Sequence, residues 1–275
     1  MKTQSKVNPN AWYGWRPDGF DGRDKQYFAP TAVLLAPLPV NVSLRAQMPA
    51  VWNQGQLGSC TGHGILACSM FVALKQWLAA YPGKTIGDAL AAVPMRSRLG
   101  LYYLERALEG TVASDAGAQI RDGIKCLVAT GCGTEKLWPY IIAKFTQKPP
   151  AAWYKDAGVN QLLTYARIPD GGLTVMKQCL AAGYPFTFGF TVYESFESAA
   201  VAKTGLVPMP QPGDRPVGGH CVAAVGYDDA SGRMDVRNSW GADWGDMGYC
   251  KMPYEYFQKR GLVSDCWTLR SEETG

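Results

Sequence analysis

The chain has 275 residues, 47% of them hydrophobic, enough to bury the core of one large domain or two small ones. A net charge of +4 with only 18% charged residues, spread without dense runs, argues against nucleic acid or an anionic membrane surface as partner. No stretch approaches the ~20 apolar residues that span a bilayer. Met1 to Pro9 have no apolar core behind them to make a signal peptide, so a cytoplasmic location is expected, with non-classical export left open.

Residues 1–37 alternate aromatics with Gly, Pro and charges, as in Trp12-Tyr13-Gly14-Trp15-Arg16-Pro17-Asp18, and show no helical or strand period. The segment is too aromatic for a disordered tail. It is expected to dock on the body of the protein and to cover part of a cleft.

Gln54-Gly55-Gln56-Leu57-Gly58-Ser59-Cys60 is a tight turn, followed by Ile65, Cys68, Phe71, Leu74 and Leu78 at helical spacing, with Tyr81-Pro82-Gly83 as the stop. Cys60 is thereby placed at a helix N-terminus, where unpaired N–H groups and the macrodipole favour thiolate. Helices are also predicted over 97–109, stopped by Gly110, and over 119–130, stopped by Gly131. A crossover begins at Lys148-Pro149-Pro150. Leu173, Met176 and Leu180, ended by Gly183, form a short helix.

Residues 185–192 alternate with period two, placing three Phe and Val192 on one face that reads as core. Residues 205–219 read as a long loop, and His220 to Tyr227 as a buried strand. After a turn at 228–233, Met234 to Asn238 read as the returning strand, so His220 and Asn238 are expected opposite each other, give or take a bulge. An asparagine amide there can fix one ring nitrogen and leave the other to exchange a proton with sulfur, the nucleophile–base–orienter arrangement. Trp240 can shield that hydrogen bond from water. The other histidine, His63, lies among apolar neighbours three residues after Cys60 and reads as packed.

Asn53-Gln54-Gly55 with Gly58-Ser59-Cys60, Gly219-His220 with Ala223 to Tyr227, and Asn238-Ser239-Trp240-Gly241 through Trp244-Gly245 to Gly248-Tyr249 together resemble the papain-like cysteine peptidases. Trp138-Pro139-Tyr140 resembles a further segment of that family. The resemblance implies an α+β, two-domain fold. A helical domain (38–160) would carry the nucleophile and a β-barrel-like domain (161–275) His and Asn, with the site in the cleft between them and 1–37 as an extension. It implies Cys60 as nucleophile, His220 as base and acid, Asn238 as orienting residue, and Gln54 with the Cys60 N–H as oxyanion donors. Gly117, Gly189, Gly218, Gly219 and Trp240 would line the substrate cleft, the three glycines from 189 onward bordering a roomy pocket.

The implied reaction is peptide-bond hydrolysis through a thioester. An acyltransferase or non-peptide amidase on the same scaffold, or a dead binding protein, are the rival readings. The expected partner is a peptide or protein substrate, with no nucleic acid, membrane, metal or cofactor, and a monomer is favoured. The chain departs from the family at Leu57, where a disulfide cysteine usually stands, and at Thr61, where an aromatic does. With Cys60 set aside an odd number of cysteines remains and no CxxC pair occurs, so a reducing compartment without required disulfides is expected.

Overall fold

The computed structural model describes residues 12–273. Its helices are α1 (Thr31–Leu35), α2 (Cys60–Ala80), α3 (Ile86–Ala92), α4 (Arg98–Leu108) and α5 (Ile120–Ala129). They continue with α6 (Ala151–Ala157), α7 (Leu173–Ala181), α8 (Ala199–Thr204) and α9 (Tyr254–Gln258). Local chemistry sets several of the ends. Thr85 and Asp88 form a reciprocal capping box on α3, and the Ser97 hydroxyl accepts from the Gly100 N–H (3.0 Å) to start α4. Gly205 closes α8 in the left-handed region, at φ +70.

The strands are β1 (Asn41–Ser43), β2 (Leu162–Ile168), β3 (Phe186–Tyr193), β4 (Pro216–Asp228), β5 (Arg233–Arg237), β6 (Tyr249–Pro253) and β7 (Val263–Glu272). All pair antiparallel in the order β2-β7-β3-β4-β5-β6, with β1 added to β4. This α+β arrangement corrects the barrel-like expectation in one respect: the sheet is open. Its end strands β2 and β6 never meet; isolated bridges from Gln26 to Arg167 and from Leu206 to Lys251 protect them instead.

The segment expected to be a loop over 205–219 joins the sheet early, because β4 already starts at Pro216 and pairs with β3 through Gly218 and Gly219. The hairpin register also differs from the simple count. Ala223 faces Arg237, and the pairing shifts between Ala224 and Gly226, so Asn238 follows the end of β5 instead of lying across from His220 in register.

Helix α2 is buried from Cys60 to Leu74 and packs on β4 and β7. At Gly64 an added Cβ would fall 2.8 Å from Cys221 Sγ, so the helix sits almost directly on the strand that carries His220. With 21 residues and a mean hydropathy of 1.2, α2 has the length and composition to cross a membrane, which the sequence reading had excluded; here it is the core helix of the fold. Phe186, Phe188 and Phe190 are fully buried beside it. All eight cysteines are buried and unbonded.

Candidate active site

Cys60 is the first residue of α2 and is fully buried. The turn before it is held on several sides. The Gly58 N–H donates to both carboxylate oxygens of Asp115 (3.1 Å each), which also accepts from the Tyr102 hydroxyl, and Tyr102 in turn accepts from the Gly117 N–H (3.1 Å). Tyr140 donates to the Gln54 carbonyl (2.8 Å) and stands 2.6 Å from the Ser59 hydroxyl. Thr61 donates to the buried Glu105 carboxyl (2.7 Å).

His220, on β4, lies 2.8 Å through Nε2 from Asn238 Oδ1. That oxygen also accepts from the Ser239 N–H (2.8 Å), which orients the amide with its oxygen toward the ring. Nε2 therefore carries the proton. In the neutral ring Nδ1 is then a bare acceptor, buried and without a hydrogen-bond partner. Trp240 stacks on the imidazole at 4.9 Å between centroids. The tertiary fold thus joins His220, Asn238 and Trp240, and it turns the backbone N–H of Cys221, the residue after His220, toward Cys60.

Residues 12–16 run through the same place. Gln54 Nε2 donates to the Trp12 carbonyl (2.8 Å) and to the Leu57 carbonyl (2.9 Å), while Ser239 holds Gln54 Oε1 (2.7 Å). The Trp15 N–H donates to the Gly219 carbonyl (3.1 Å), and Trp15 bridges Ala118 in parallel through Ala118 N to Gly14 O (2.7 Å) and Arg16 N to Ala118 O (3.0 Å). The Tyr13 ring meets His220 and Trp240 edge-on.

The cleft glycines make room for this segment. A Cβ would fall 2.0 Å from Gly14 O at Gly117, 1.9 Å from the Trp15 indole at Gly189, 2.5 Å from the Tyr13 ring at Gly218 and 2.6 Å from Trp15 O at Gly219. All five expected cleft residues, Gly117, Gly189, Gly218, Gly219 and Trp240, touch or face the extension.

Burial decides the protonation states. It pushes the Cys60 thiol up to about 12, against the pull of the Cys221, Gly14 and Thr61 backbone N–H groups that point at the sulfur. Burial also pulls His220 down to about 4, against the Asn238 hydrogen bond. The thiolate expected from the helix N-terminus is therefore absent in this closed arrangement. Desolvation outweighs the dipole.

A buried polar cluster anchors the extension beyond the cleft. Asp265 Oδ2 accepts from Trp15 Nε1 (3.2 Å) and the Asp18 N–H (2.8 Å), and its Oδ1 pairs with Arg167 (2.9 Å). Asp18 accepts from Trp267 Nε1 (3.1 Å) and the Arg121 N–H (3.2 Å), and Asp24 binds Arg121 (2.6 Å) and Arg167 (3.1 Å). Asp265 was missed in the sequence. Its only signal there is a lone acid inside the apolar run Val263-Ser264-Asp265-Cys266-Trp267. Glu105, Asp115 and Tyr102, also missed, are distant in sequence from the turn they support.

With this geometry in view, the comparisons are consistent with one another. The family model of papain family cysteine proteases matches residues 114–267. A peptidase C1-like protein of Acanthamoeba polyphaga mimivirus is 40% identical over 225 residues, covering 79% of this chain and 68% of its own. Thiol protease aleurain from Arabidopsis thaliana is 36% identical over 125 residues, and the matched part spans 33% of its length. The crystal structure of xylellain, a cysteine protease from Xylella fastidiosa, superposes with a TM-score of 0.84 at 36% identity, covering 98% of both chains. The α+β fold is that of a class of thiol hydrolases. The chain belongs to the papain family of cysteine proteases and is a cysteine peptidase.

Proposed function

We propose that this peptidase cleaves peptide bonds with Cys60 as nucleophile, His220 as general base and acid, Asn238 as orienting residue, and Gln54 and the Cys60 N–H as oxyanion donors. The observation that carries this reading is the carbonyl of Trp12 seated on the Gln54 amide beside the Cys60 turn, because a peptide carbonyl is the group such a donor would stabilise. In the reaction His220 Nδ1 takes the thiol proton, sulfur attacks the carbonyl carbon, and the oxygen charge develops against the Gln54 amide. Each such donor is worth ~2.7–4 kcal/mol in transition states of this kind. The imidazolium, held by Asn238, then protonates the leaving amine, and water hydrolyses the thioester.

Residues 12–16 hold the enzyme at rest in this reading. The group they present to the sulfur is the Gly14 N–H, a donor that offers no carbon to attack. Substrate enters when the segment leaves, and the space vacated by the Trp15 indole becomes a pocket with Gly189 and Gly219 at its walls and Asp265 at its end. A large aromatic side chain bearing a donor fits that chemistry, and Arg167 against Asp265 disfavours a cationic one.

An epoxide thiol reagent, followed by a peptide-library digest, tests the assignment on the full chain and on Trp15→Ala. Label confined to Cys60 and abolished by His220→Ala is the expected result; rapid labelling of another cysteine with Cys60 silent overturns it.

A further inference from the structure

Behind the site, away from the cleft, three buried polar atoms have no hydrogen-bond partner: Trp52 Nε1, His63 Nε2 and Asn238 Nδ2. All three side chains line one cavity of about 10 Å³, completed by Gly64, Ala67, Cys221, Val222, Arg237 and Ser239. That is the space of a single water, and a water needs two to four polar partners.

The tautomer of His63 decides what the cavity requires. His63 Nδ1 is 2.9 Å from the Ser59 carbonyl oxygen, an acceptor only, so Nδ1 carries the proton. The groups facing the ring are Arg98, Arg237 and His220. Burial and these neighbours keep it neutral, so Nε2 is a bare acceptor. Trp52 Nε1 is a donor only, and Asn238 Nδ2 is the donor end of an amide whose oxygen is already taken by His220 and Ser239. Two unpaired donors and one unpaired acceptor belong to the side chains that line one cavity, which is the complement of one water accepting twice and donating once.

We infer that one buried water joins Asn238 Nδ2 and Trp52 Nε1 to His63 Nε2, making His63 a positioning residue for the Asn238–His220 pair. The link closes a path from the Ser59 carbonyl, at the head of the nucleophile's helix, through His63 and the water to the amide that orients His220. A flipped Asn238 would turn its NH₂ toward the His220 Nε2–H and the Ser239 N–H and lose both of those bonds. The water could still donate to the oxygen it then met, so His220 and Ser239 choose the amide orientation. The water satisfies the Nδ2 donor that this orientation would otherwise leave buried and unpaired, and so supports the amide that keeps Nδ1 of His220 unprotonated. This rests on the proposed roles of His220 and Asn238 for its consequence alone, because the test below observes the rings themselves.

The chain holds two histidines, so ¹⁵N-imidazole NMR of the full-length protein resolves both. The expected spectrum shows opposite neutral tautomers, Nδ1–H for His63 and Nε2–H for His220. In His63→Phe the His220 Nε2–H exchanges with solvent ~3–10-fold faster, the loss of about one hydrogen bond, and His63→Gln, which returns an acceptor, restores slow exchange. Unchanged exchange and tautomer for His220 in a folded His63→Phe protein overturn the inference. A high-resolution crystal structure of the wild type decides independently of any variant. Density for a water within hydrogen-bond distance of the three atoms supports it, and a dry cavity or direct His63–Asn238 contact rejects it. Failure of these measurements with Cys60 labelling intact would leave the peptidase assignment standing.

Discussion

The side-chain amide of Gln54 donates to the carbonyl oxygen of Trp12 at 2.8 Å, so the group proposed to stabilise a substrate carbonyl already holds one from the protein's own N-terminal extension. Trp15, three residues on, is buried in the cleft against two glycines. Replacing a buried aromatic by alanine removes ~3–5 kcal/mol of packing, and every ~1.4 kcal/mol shifts a closed–open equilibrium tenfold. Trp15→Ala is expected to raise peptidase activity of the full chain at least ~10-fold. Initial rates on a fluorogenic peptide check this; equal rates would show that the segment does not limit access.

The same opening changes the thiol. With the cleft closed, Cys60 is held at about 12 and His220 at about 4, mainly by burial. Solvent reaching the pair lowers the first and raises the second, and an ion pair becomes favourable. Iodoacetamide alkylation of Cys60 at pH 7 is therefore expected to be slow in the full chain and much faster in Trp15→Ala. Equal alkylation rates would contradict burial as the cause.

The anchor of the extension titrates. Burial raises Asp265 from 3.8 to about 7 and also raises Asp18, which face Arg167, Arg121, Asp170 and Asp24. A carboxyl raised in the closed form binds protons there more tightly than in the open form. Its contribution to closure is full below its ordinary pKa near 3.8, falls as pH rises toward about 7, and is flat above that. The cleft is expected to open as pH rises between these limits, and Asp265→Asn to remove most of the dependence. Protection of residues 12–18 from proteolysis, measured from pH 4 to 8, reads the equilibrium. Tighter closure at pH 8 would reverse the sign and reject the mechanism.

Glu105 is buried and accepts from Thr61, the residue after Cys60, and desolvation raises its pKa well above the usual range. Stability from such a group is present below its unfolded pKa and is lost as pH rises through the folded one. Glu105→Gln keeps an acceptor for Thr61 and is expected to flatten the alkaline decline in Tm. Glu105→Ala leaves the Thr61 hydroxyl unpaired and costs ~1–3 kcal/mol. Melting curves across pH for both variants decide it; matching alkaline declines in Glu105→Gln and wild type would exclude Glu105 as the titrating group.

Gly189→Ala places a methyl where the Trp15 indole lies, 1.9 Å from its nearest ring atom. The expected result is a split: faster Cys60 alkylation, because the indole is displaced, without a matching gain on substrates bearing a large aromatic for that pocket. A matching gain would mean that the pocket lies elsewhere.

The placement of the candidate residues on their elements was legible because its signals are local. Cys60 follows a glycine turn at the head of an apolar helical period, and His220 and Asn238 flank one hairpin, so each could be placed on its element from neighbouring residues alone. The open sheet was not legible, since closure depends on whether β2 and β6 meet, and no local pattern encodes the distance between two edge strands. The two-residue difference in hairpin register was hidden because Asp228 pairs with Arg233, so the turn centres between Ala230 and Ser231 and not at Asp229, and the bulge between Ala224 and Gly226 takes back only one residue of the offset.

The linear order of residues by itself determined which chemistry is available, because turn-forming glycines, helical periodicity and the identities of one thiol, one imidazole and two amides act over a few residues. Only the packed molecule decided the ionisation of that thiol and imidazole, and that Trp12 to Arg16 lie over them. The ionisation follows from desolvation and the path of the segment from contacts with residues distant in sequence, and burial is a property of the assembled volume that no short stretch of chain contains.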